Sequence, residues 1–361
     1  MNATQKLHDL GQSLWLDNIT RELLTSGTLA RYLRDYAVTG LTSNPTIFDH
    51  AIRAAGVYDN AIRTGAQSGQ AGEALFFELA LEDLTKAADL FRPIHDGTAG
   101  IDGWVSLEVS PLLAADTAGS IRAAADLHAR AQRPNLFIKI PGTPAGIQAI
   151  EESIFGGVPV NVTLLFSREQ YVAAAEAYLR GLERRLAAGR DLKVASVASL
   201  FVSRWDVAIH DKVPPQLRNR LGIAIAQRTY KAYREMLASP RWKSLEQAGA
   251  QAQRLLWAST GTKDPAAPDL LYVEALAAPD TINTMPEKTL LALADHGAVK
   301  HVLPADGGDA ESALAAFEQE GVDLASLAAD LQRQGTDSFA KSWKSLLECL
   351  IAKSNALKMA S

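Results

Sequence analysis

The sequence predicts an α/β protein, specifically a closed (β/α)8 TIM barrel with extra helices. Eight short apolar runs alternate along the chain with longer segments of helical period that are rich in Ala, Leu, Glu and Arg. These segments are long enough for crossover helices, which favours a parallel sheet. Eight such units within about 290 residues match a closed barrel. A doubly wound open sheet is the alternative, but no Gly-x-Gly-x-x-Gly motif opens a helix after the first strand.

The predicted elements follow one another in a regular order. The strand candidates are residues 13–19, 40–46, 104–111, 136–141, 158–166, 194–202, 254–260 and 281–286. Crossover helices are expected between them, as at 120–132, 167–188 and 287–297. A helical insertion is expected at about 205–250, and C-terminal helices are expected from about 290. The chain has no Pro/Ser-rich linker and no short-period repeat, so we expect one domain spanning residues 1–361.

Composition and charge exclude several classes of function. The 361 residues are 47% hydrophobic and 21% charged, which is typical of a soluble globular protein. The net charge is −5 and both signs are interspersed, so we expect neither a nucleic-acid partner nor a membrane partner. The single Cys349 excludes an internal disulfide and a zinc cluster of thiolates. The N-terminus lacks an apolar signal core and no stretch reaches transmembrane length, so we expect a cytoplasmic location.

A lysine in the middle of an apolar strand is the first unusual feature. In the stretch "LFIKIP", Ile138 and Ile140 share one face of the strand, whereas Lys139 lies with Phe137 on the other. Burying an ammonium group is costly because the group loses its hydration. One interpretation is a lysine at a sheet edge, or one whose amine snorkels to solvent. The other interpretation is a buried amine that acts as a nucleophile.

Polar residues also accompany the carboxyl ends of most of the other predicted strands. Along the chain they are Asp17, Asn18, Ser43, Asn44, Glu108, Asn161, Thr163, Ser199 and Ser259. In a barrel these strand ends converge at one mouth, where such enzymes place their chemistry. A lone polar residue in a strand is more often a satisfied core group or a turn former. A whole set is harder to explain in that way, because every buried member needs a partner.

Five short motifs occur in an order and spacing that resemble the transaldolase family. They are "TGLTSNPTIF" at 39–48, "VSLEVSP" at 105–111, "LFIKIPGT" at 136–143, "VNVTLLFS" at 160–167 and "SLFVSRWD" at 199–206. The stretches "LWLDNITRELL" and "TINTMPEKTL" resemble the longer bacterial subfamily. The resemblance extends from about residue 13 to 290 and beyond.

The resemblance implies a class I, Schiff-base enzyme of the non-oxidative pentose phosphate pathway. Such an enzyme transfers a dihydroxyacetone unit from sedoheptulose 7-phosphate or fructose 6-phosphate. The acceptor is an aldose phosphate, either glyceraldehyde 3-phosphate or erythrose 4-phosphate. The resemblance also implies that the chain needs no metal or other cofactor, that its partners are sugar phosphates, and that it is a monomer or a homodimer.

Four residues match catalytic positions of the family. Lys139 in "FIKIP" matches the lysine that forms the Schiff base, and Asp17 in "WLDN" matches the acid/base that removes the C4 hydroxyl proton. Glu108 and Thr163 match a pair that holds and activates a water. From the residues alone, Asp17 could instead form an Asx turn or cap a helix. Glu108 could be the buried ion-pair partner of a lysine, which is compatible with catalysis.

Four further residues match positions that contact the sugar. Asn44 and Asn161 match amides that orient substrate hydroxyls, and Ser199 matches a further hydroxyl contact. Asn44 precedes a proline, so a turn-forming role is the alternative for this residue. Phe201 matches an aromatic wall at the mouth, although a lone Phe in an apolar strand would also suit the core.

Two cations are candidates for binding phosphate. Arg204 in "FVSRWD" matches a phosphate-binding arginine, whose planar fork suits phosphate oxygens. A solvated surface arginine is the alternative. The chain departs from the family where many relatives carry an arginine soon after "AS", because here the sequence reads "ASTGTK". Lys263 takes that place, and a lysine binds phosphate with less directionality than an arginine.

Other chemistries find little support in the sequence. The seven histidines form no HExxH or HxH pair, and GxSxG and Walker A motifs are absent, so no metal or nucleotide is implied. An aldolase that releases free dihydroxyacetone on the same barrel is one alternative. Its relatives tend to carry glutamine at the position of Glu108 and tyrosine at that of Phe201, so the residues here favour transfer. A non-catalytic barrel is the other alternative, but we would expect it to lose the lysine or the acid.

Overall fold

The computed structural model describes residues 2–54 and 56–359, and its centre is a closed barrel of eight parallel strands. The strands are β1 Gln12–Asp17, β2 Val38–Thr42, β3 Val105–Glu108, β4 Leu136–Pro141, β5 Val160–Leu165, β6 Ser196–Phe201, β7 Arg254–Ala258 and β8 Thr281–Met285. Each strand pairs with the next in the sequence, and β8 closes the barrel on β1. The predicted (β/α)8 barrel with extra helices is therefore confirmed, and the open sheet is excluded.

Helices surround the barrel on its outer side. In the described part of the chain the α-helices are α1 Ala3–Asp9, α2 Arg21–Thr25, α3 Thr28–Tyr36, α4 Pro45–Ala54, α5 Asp59–Gln67, α6 Gly72–Gly97, α7 Thr117–Ala131, α8 Pro144–Gly156, α9 Arg168–Ala187, α10 Ser203–Ile209, α11 Leu221–Ala238, α12 Pro240–Gln247, α13 Leu271–Ala275, α14 Glu287–His296, α15 Ala310–Gln319 and α16 Leu324–Met359. Short 3-10 turns lie at Gly56–Tyr58, Pro111–Leu113 and Pro215–Leu217. The limits of the predicted single domain, residues 1 and 361, lie outside the described residues, and the single domain stays a prediction.

Every predicted strand overlaps an observed one, and the largest shift in boundary has a local cause. The second strand candidate, residues 40–46, extends past β2, which ends at Thr42. Pro45 instead begins α4, because proline has no N–H for the sheet and its fixed φ suits the first turn of a helix. Asn44 consequently lies in the loop between strand and helix.

The register of the strands brings polar residues together inside the barrel. Glu108 on β3 is paired in register with Lys139 on β4, and Lys139 is paired with Asn161 on β5. Side chains alternate along each strand, so these three lie in one layer facing the interior. Lys139 is only 5% exposed and a closed barrel has no edge, so the interpretation of this lysine as an edge or snorkelling residue is wrong.

The C-terminal helix α16 is 36 residues long and crosses the barrel mouth rather than only covering its side. Helix α16 packs against α4, α5 and α6, and the rings of Trp343 and Phe76 form a T-shaped pair with their centroids 4.8 Å apart. The same helix also contacts β5.

Among residues 2–54 and 56–359 there is no helix with the length and apolar character needed to cross a membrane.

Candidate active site

A cavity of about 700 Å³ opens at the carboxyl ends of the strands. Most of the site residues predicted from the sequence line it, namely Asp17, Asn44, Lys139, Thr163, Ser199, Phe201, Arg204 and Lys263. The other two, Glu108 and Asn161, lie directly behind this lining, in contact with Lys139 and Ser199 respectively. The structure therefore brings all of the predicted positions to one mouth.

The amine of Lys139 is held between the ends of three strands. Its Nζ donates to the backbone carbonyl of Ser43 at 2.9 Å and lies 3.5 Å from Oε2 of Glu108. The side chains of Lys139 and Glu108 are each 6% exposed, so this ion pair is shielded from water. The Glu108 contact agrees with its interpretation as an ion-pair partner of a lysine.

Asp17 approaches the same amine from the end of β1. Its Oδ1 accepts from the hydroxyl of Thr42 at 2.8 Å, and that hydroxyl lies 2.6 Å from Oγ1 of Thr284. The following helix α2 is capped by Thr20 instead, so the interpretation of Asp17 as a helix cap is wrong. The Thr42 contact fixes the direction of the Asp17 carboxyl group towards the cavity.

Burial controls the protonation of both acids. It raises the pKa of Asp17 above its ordinary value, while the charge of Lys139 and the hydrogen bond from Thr42 oppose the rise. It also raises the pKa of Glu108, against the charge of Lys139 and with a further contribution from Asp17. Two carboxyl groups thus share one lysine, which is an arrangement suited to moving protons rather than to holding fixed charges.

A polar network supports the layer next to Lys139. Ser199 Oγ donates to Asn161 Oδ1 at 2.7 Å, and Asn161 Nδ2 donates to Ser106 Oγ at 3.1 Å. In contrast, Oε2 of Glu108 and Oγ1 of Thr163 are buried without a hydrogen-bond partner among the described residues. Buried polar atoms of this kind are uncommon, and they are the groups that can bind a water or a substrate atom.

Asn44 combines a local structural role with access to the cavity. Its Oδ1 accepts from the backbone N–H of Ile47 at 3.0 Å, which caps the start of α4. The turn-forming interpretation is therefore correct for this oxygen. The residue also lines the cavity, so its amide nitrogen is placed to act on a ligand.

The two predicted phosphate ligands follow neighbouring strands of the barrel. Arg204 lies in α10 directly after β6, and its guanidinium carbon is 5.7 Å from the centre of the Phe201 ring. Burial lowers the pKa of Arg204 from its ordinary value, so this side chain is not the solvated surface arginine of the alternative interpretation. Lys263 is exposed and lies in the loop after β7.

Several lining residues were not identified from the sequence. Thr42 and Thr284 orient Asp17, and Thr42 lies within the quoted motif "TGLTSNPTIF", which is a signal that could have identified it. His50 of α4 also lines the cavity, as do three residues of α16, Leu331, Gln334 and Phe339. The α16 residues carry no local signal, because an amphipathic helix over a mouth has the same pattern as one over a sheet.

A second and slightly larger cavity, of about 770 Å³, lies at the amino ends of the strands. Arg254, at the start of β7, donates to Ser13 Oγ at 2.8 Å and lies 4.0 Å from Oδ2 of Asp102. Asp102 accepts from Trp15 Nε1 at 2.9 Å and also from Ser13 Oγ. The buried charges at this end are therefore paired with one another.

Chemically, the carboxyl-end cavity combines a buried amine, two carboxyl groups and a cation. The amine can add to a carbonyl, the acids can accept and return protons, and Arg204 can bind an anionic group. The amino-end cavity has no buried amine among its described lining residues, because Lys243 is exposed and pairs with Glu246 at 2.8 Å, while Asp102 faces Arg254. The arrangement at the carboxyl end therefore suits chemistry on a carbonyl compound that bears an anionic group.

Comparisons with known proteins all point to one family. A family model described as "Transaldolase/Fructose-6-phosphate aldolase" matches residues 14–350. A protein named transaldolase from Saccharopolyspora erythraea is 46% identical over 358 residues, covering 95% of this chain and 95% of that protein. Transaldolases from Thermobifida fusca and Thiobacillus denitrificans are 45% and 44% identical, covering 95% and 96% of this chain and 96% and 99% of their own lengths.

Proposed function

The chain belongs to the transaldolase/fructose-6-phosphate aldolase family, and we propose that it is a transaldolase that works through a Schiff base on Lys139. The donor is sedoheptulose 7-phosphate or fructose 6-phosphate, and the acceptor is glyceraldehyde 3-phosphate or erythrose 4-phosphate. The observation that carries this proposal is the buried Lys139 amine, which lies 3.5 Å from Glu108 at the mouth of the barrel.

The first step is formation of the imine. A proton passes from the Lys139 amine to Glu108, and the nitrogen lone pair then adds to the ketose carbonyl carbon. The carbinolamine loses water and becomes an iminium ion. Glu108 and Thr163 hold and protonate the departing oxygen. This role is supported by Oε2 of Glu108, which lies 3.5 Å from the amine, and by Oγ1 of Thr163, a cavity-lining residue, which makes no hydrogen bond among the described residues.

The second step breaks the C3–C4 bond of the sugar. Asp17 takes the proton of the C4 hydroxyl, and the electron pair of the breaking bond moves into the iminium. The aldose phosphate leaves, and a three-carbon enamine remains attached to Lys139. The hydrogen bond from Thr42 keeps the Asp17 carboxyl group directed at the sugar. Asn44 and Ser199 line the cavity and orient the sugar hydroxyl groups, and Asn161 acts on them through its hydrogen bond with Ser199.

The acceptor then reverses these steps. The enamine attacks the aldehyde carbon of the second aldose phosphate, and Asp17 returns its proton to the new hydroxyl. A water activated by Glu108 and Thr163 hydrolyses the imine and releases the product ketose. Arg204 and Lys263 bind the phosphate group, with Arg204 as the more directional ligand, and Phe201 forms the apolar wall beside it.

The residues favour transfer over simple aldol cleavage. An aldolase that releases free dihydroxyacetone is the second candidate, and its relatives tend to carry glutamine and tyrosine where this chain has Glu108 and Phe201. We also propose that the protein acts in the cytoplasm in the non-oxidative pentose phosphate pathway, as a monomer or homodimer with the whole chain in one domain. A resident metal or other cofactor has no part in these steps.

A coupled assay separates the alternatives. Purified protein receives fructose 6-phosphate with and without erythrose 4-phosphate, and glyceraldehyde 3-phosphate release is followed. We expect release that depends on the acceptor and that is lost in Lys139→Arg, which keeps the charge but removes the nucleophilic amine. Sustained release without acceptor would identify an aldolase. No release in either case would identify a non-catalytic barrel.

A further inference from the structure

Gln332 of helix α16 binds the backbone at two strand ends of the barrel mouth. The amide nitrogen of Gln332 donates to the backbone carbonyl of Gly142 at 3.0 Å and to that of Leu164 at 3.0 Å. Gly142 directly follows β4, which carries Lys139, and Leu164 directly follows Thr163 on β5. Gln332 therefore joins the two strands that carry the proposed Schiff-base lysine and its water-binding hydroxyl.

The backbone that Gln332 holds is locally unusual. Leu164 has φ +58°, in the left-handed region that is unfavourable for a residue with a Cβ, and the pairing of β5 with β6 is irregular between Val162 and Leu165. Such a conformation persists only where the surrounding structure holds it. Thr163 lies within this irregular segment, so the direction of its hydroxyl depends on the segment keeping its shape.

One further contact keeps α16 close to this point, and a backbone bond joins the two strand ends beneath it. A Cβ added at Gly335 would lie 2.9 Å from Cδ2 of Leu164, so the helix approaches more closely than a larger residue would allow without a shift. The N–H of Gly142 donates to the Thr163 carbonyl at 2.8 Å, which joins the two strand ends directly. Gln332 itself does not line the active-site cavity, whereas Leu331 and Gln334 beside it do.

We propose that Gln332 is a positioning residue for imine formation and hydrolysis, because its two hydrogen bonds fix the ends of β4 and β5 and thereby hold the Thr163 hydroxyl beside Lys139. This role rests on the proposed Schiff-base function. It requires no contact with the sugar. Loss of the two bonds is therefore expected to slow the chemical steps while substrate binding is retained.

The central variant is Gln332→Met, which keeps the length of the side chain and removes both donors. We expect kcat to fall about tenfold or more, because a small misplacement of a catalytic group can be costly. The KM for fructose 6-phosphate should stay within about twofold, since the sugar contacts are intact. Gln332→Glu should lose more at neutral pH, because a carboxylate would face two carbonyl oxygens.

Ser345→Ala is the matched control on the same helix. Ser345 accepts from Arg53 Nη2 at 3.0 Å and donates to Asp49 Oδ2 at 3.1 Å, so its loss also removes two hydrogen bonds that dock α16. Ser345 lies far along the helix from the ends of β4 and β5. The kcat of the Ser345→Ala variant should therefore match that of the unaltered protein. An equal loss of kcat in Ser345→Ala and Gln332→Met would overturn the positioning role.

Hydrogen exchange tests the same inference without reference to the reaction. Peptides covering residues 136–146 and 160–168 should exchange faster in Gln332→Met than in the unaltered protein, and they should be unchanged in Ser345→Ala. Unchanged exchange there, or a rise in KM with kcat preserved, would refute the role of Gln332. If the unaltered protein transfers no dihydroxyacetone unit, the proposed function fails, while the exchange result still decides whether Gln332 holds the strand ends.

Discussion

The two ends of the barrel carry cavities of similar volume, about 700 Å³ at the carboxyl end and about 770 Å³ at the amino end. They differ in how their buried polar groups are partnered. At the amino end Asp102 and Arg254 face one another and both bond Ser13. At the carboxyl end the amine of Lys139 lies 3.5 Å from Glu108, and its charge also acts on Asp17, so two carboxyl groups share one cation.

The volume of a cavity therefore does not show where the reaction takes place in this protein, because the slightly larger cavity is the one without a buried amine. At the amino end Asp102 and Arg254 form a one-to-one pair, and removing either partner would leave the other buried and unpaired. At the carboxyl end two carboxyl groups around one amine are suited to moving protons. If the two ends divide these roles, substitutions at the carboxyl end should lower turnover, whereas substitutions at the amino end should lower stability.

The acids of the carboxyl end should affect turnover most, and in two different ways. Asp17→Asn keeps the shape of the side chain but cannot take the C4 hydroxyl proton, so turnover should fall roughly 100-fold or more. The lysine can still condense with the sugar, so borohydride should still trap an adduct. Steady-state rates and single-turnover trapping with fructose 6-phosphate measure both quantities.

Glu108→Gln provides the contrast to Asp17→Asn. Its imine should form and hydrolyse slowly, so trapping and turnover should fall together. Circular dichroism checks that both variants are folded. If trapping is lost in Asp17→Asn and preserved in Glu108→Gln, the two roles have been assigned in the wrong order.

The pH dependence of turnover follows from the raised pKa of Asp17. Cleavage needs the ionised carboxylate, so kcat should fall about tenfold for each pH unit below that pKa. Because burial raises this pKa, the fall should begin at a higher pH than an ordinary aspartate would give, 3.8 being the usual value. This fall is measured by determining kcat over a range of acidic pH values. A profile that stays flat down to the ordinary value would contradict a raised pKa for Asp17.

Arg204→Ala should act on binding rather than on chemistry. A charge-assisted hydrogen bond to phosphate contributes roughly 1.5 to 3 kcal/mol, so the KM for fructose 6-phosphate should rise about tenfold or more. Trapping of unphosphorylated dihydroxyacetone should change little, and Lys263→Ala should have a smaller effect on KM because Lys263 is exposed. An equal loss with both substrates would identify Arg204 as a structural residue.

The amino end should affect stability and leave turnover unchanged. Asp102→Ala removes the acceptor of Trp15 Nε1 and the partner of Arg254, which should cost about 3 kcal/mol. The midpoint of thermal unfolding should fall by roughly 5 °C or more. At a temperature where the variant is folded, kcat and KM should match those of the unaltered protein. A large fall in kcat there would show that the two ends do not divide their roles.

The sequence predicts much of the carboxyl end because its residues lie in short, patterned strands. Lys139 interrupts an apolar run and Glu108 ends another, so each residue is recognisable locally. The amino-end network joins Ser13, Asp102 and Arg254, which are far apart in the sequence and each ordinary in its own surroundings. Such a network depends on closure of the barrel, and no local pattern specifies which loop meets which strand.

The position of helix α16 could not be predicted from the sequence, for a related reason. Its helical character is predictable from residue composition, but its path across the mouth depends on packing against α4, α5 and α6. The side chain of Gln332 binds two backbone carbonyl groups. Every residue has such a group, so the sequence does not indicate which carbonyls a glutamine will bind. For Asn44, in contrast, the proline that follows indicates the turn in which the structure places it.

Borohydride trapping is the most direct test of the division between the two ends. The protein is incubated with fructose 6-phosphate, reduced with borohydride, digested and analysed by mass spectrometry. We predict a reduced three-carbon adduct on the peptide that contains Lys139, at the carboxyl end, and its absence in Lys139→Arg. An adduct on another lysine, or full transfer activity in Lys139→Arg, would contradict the account.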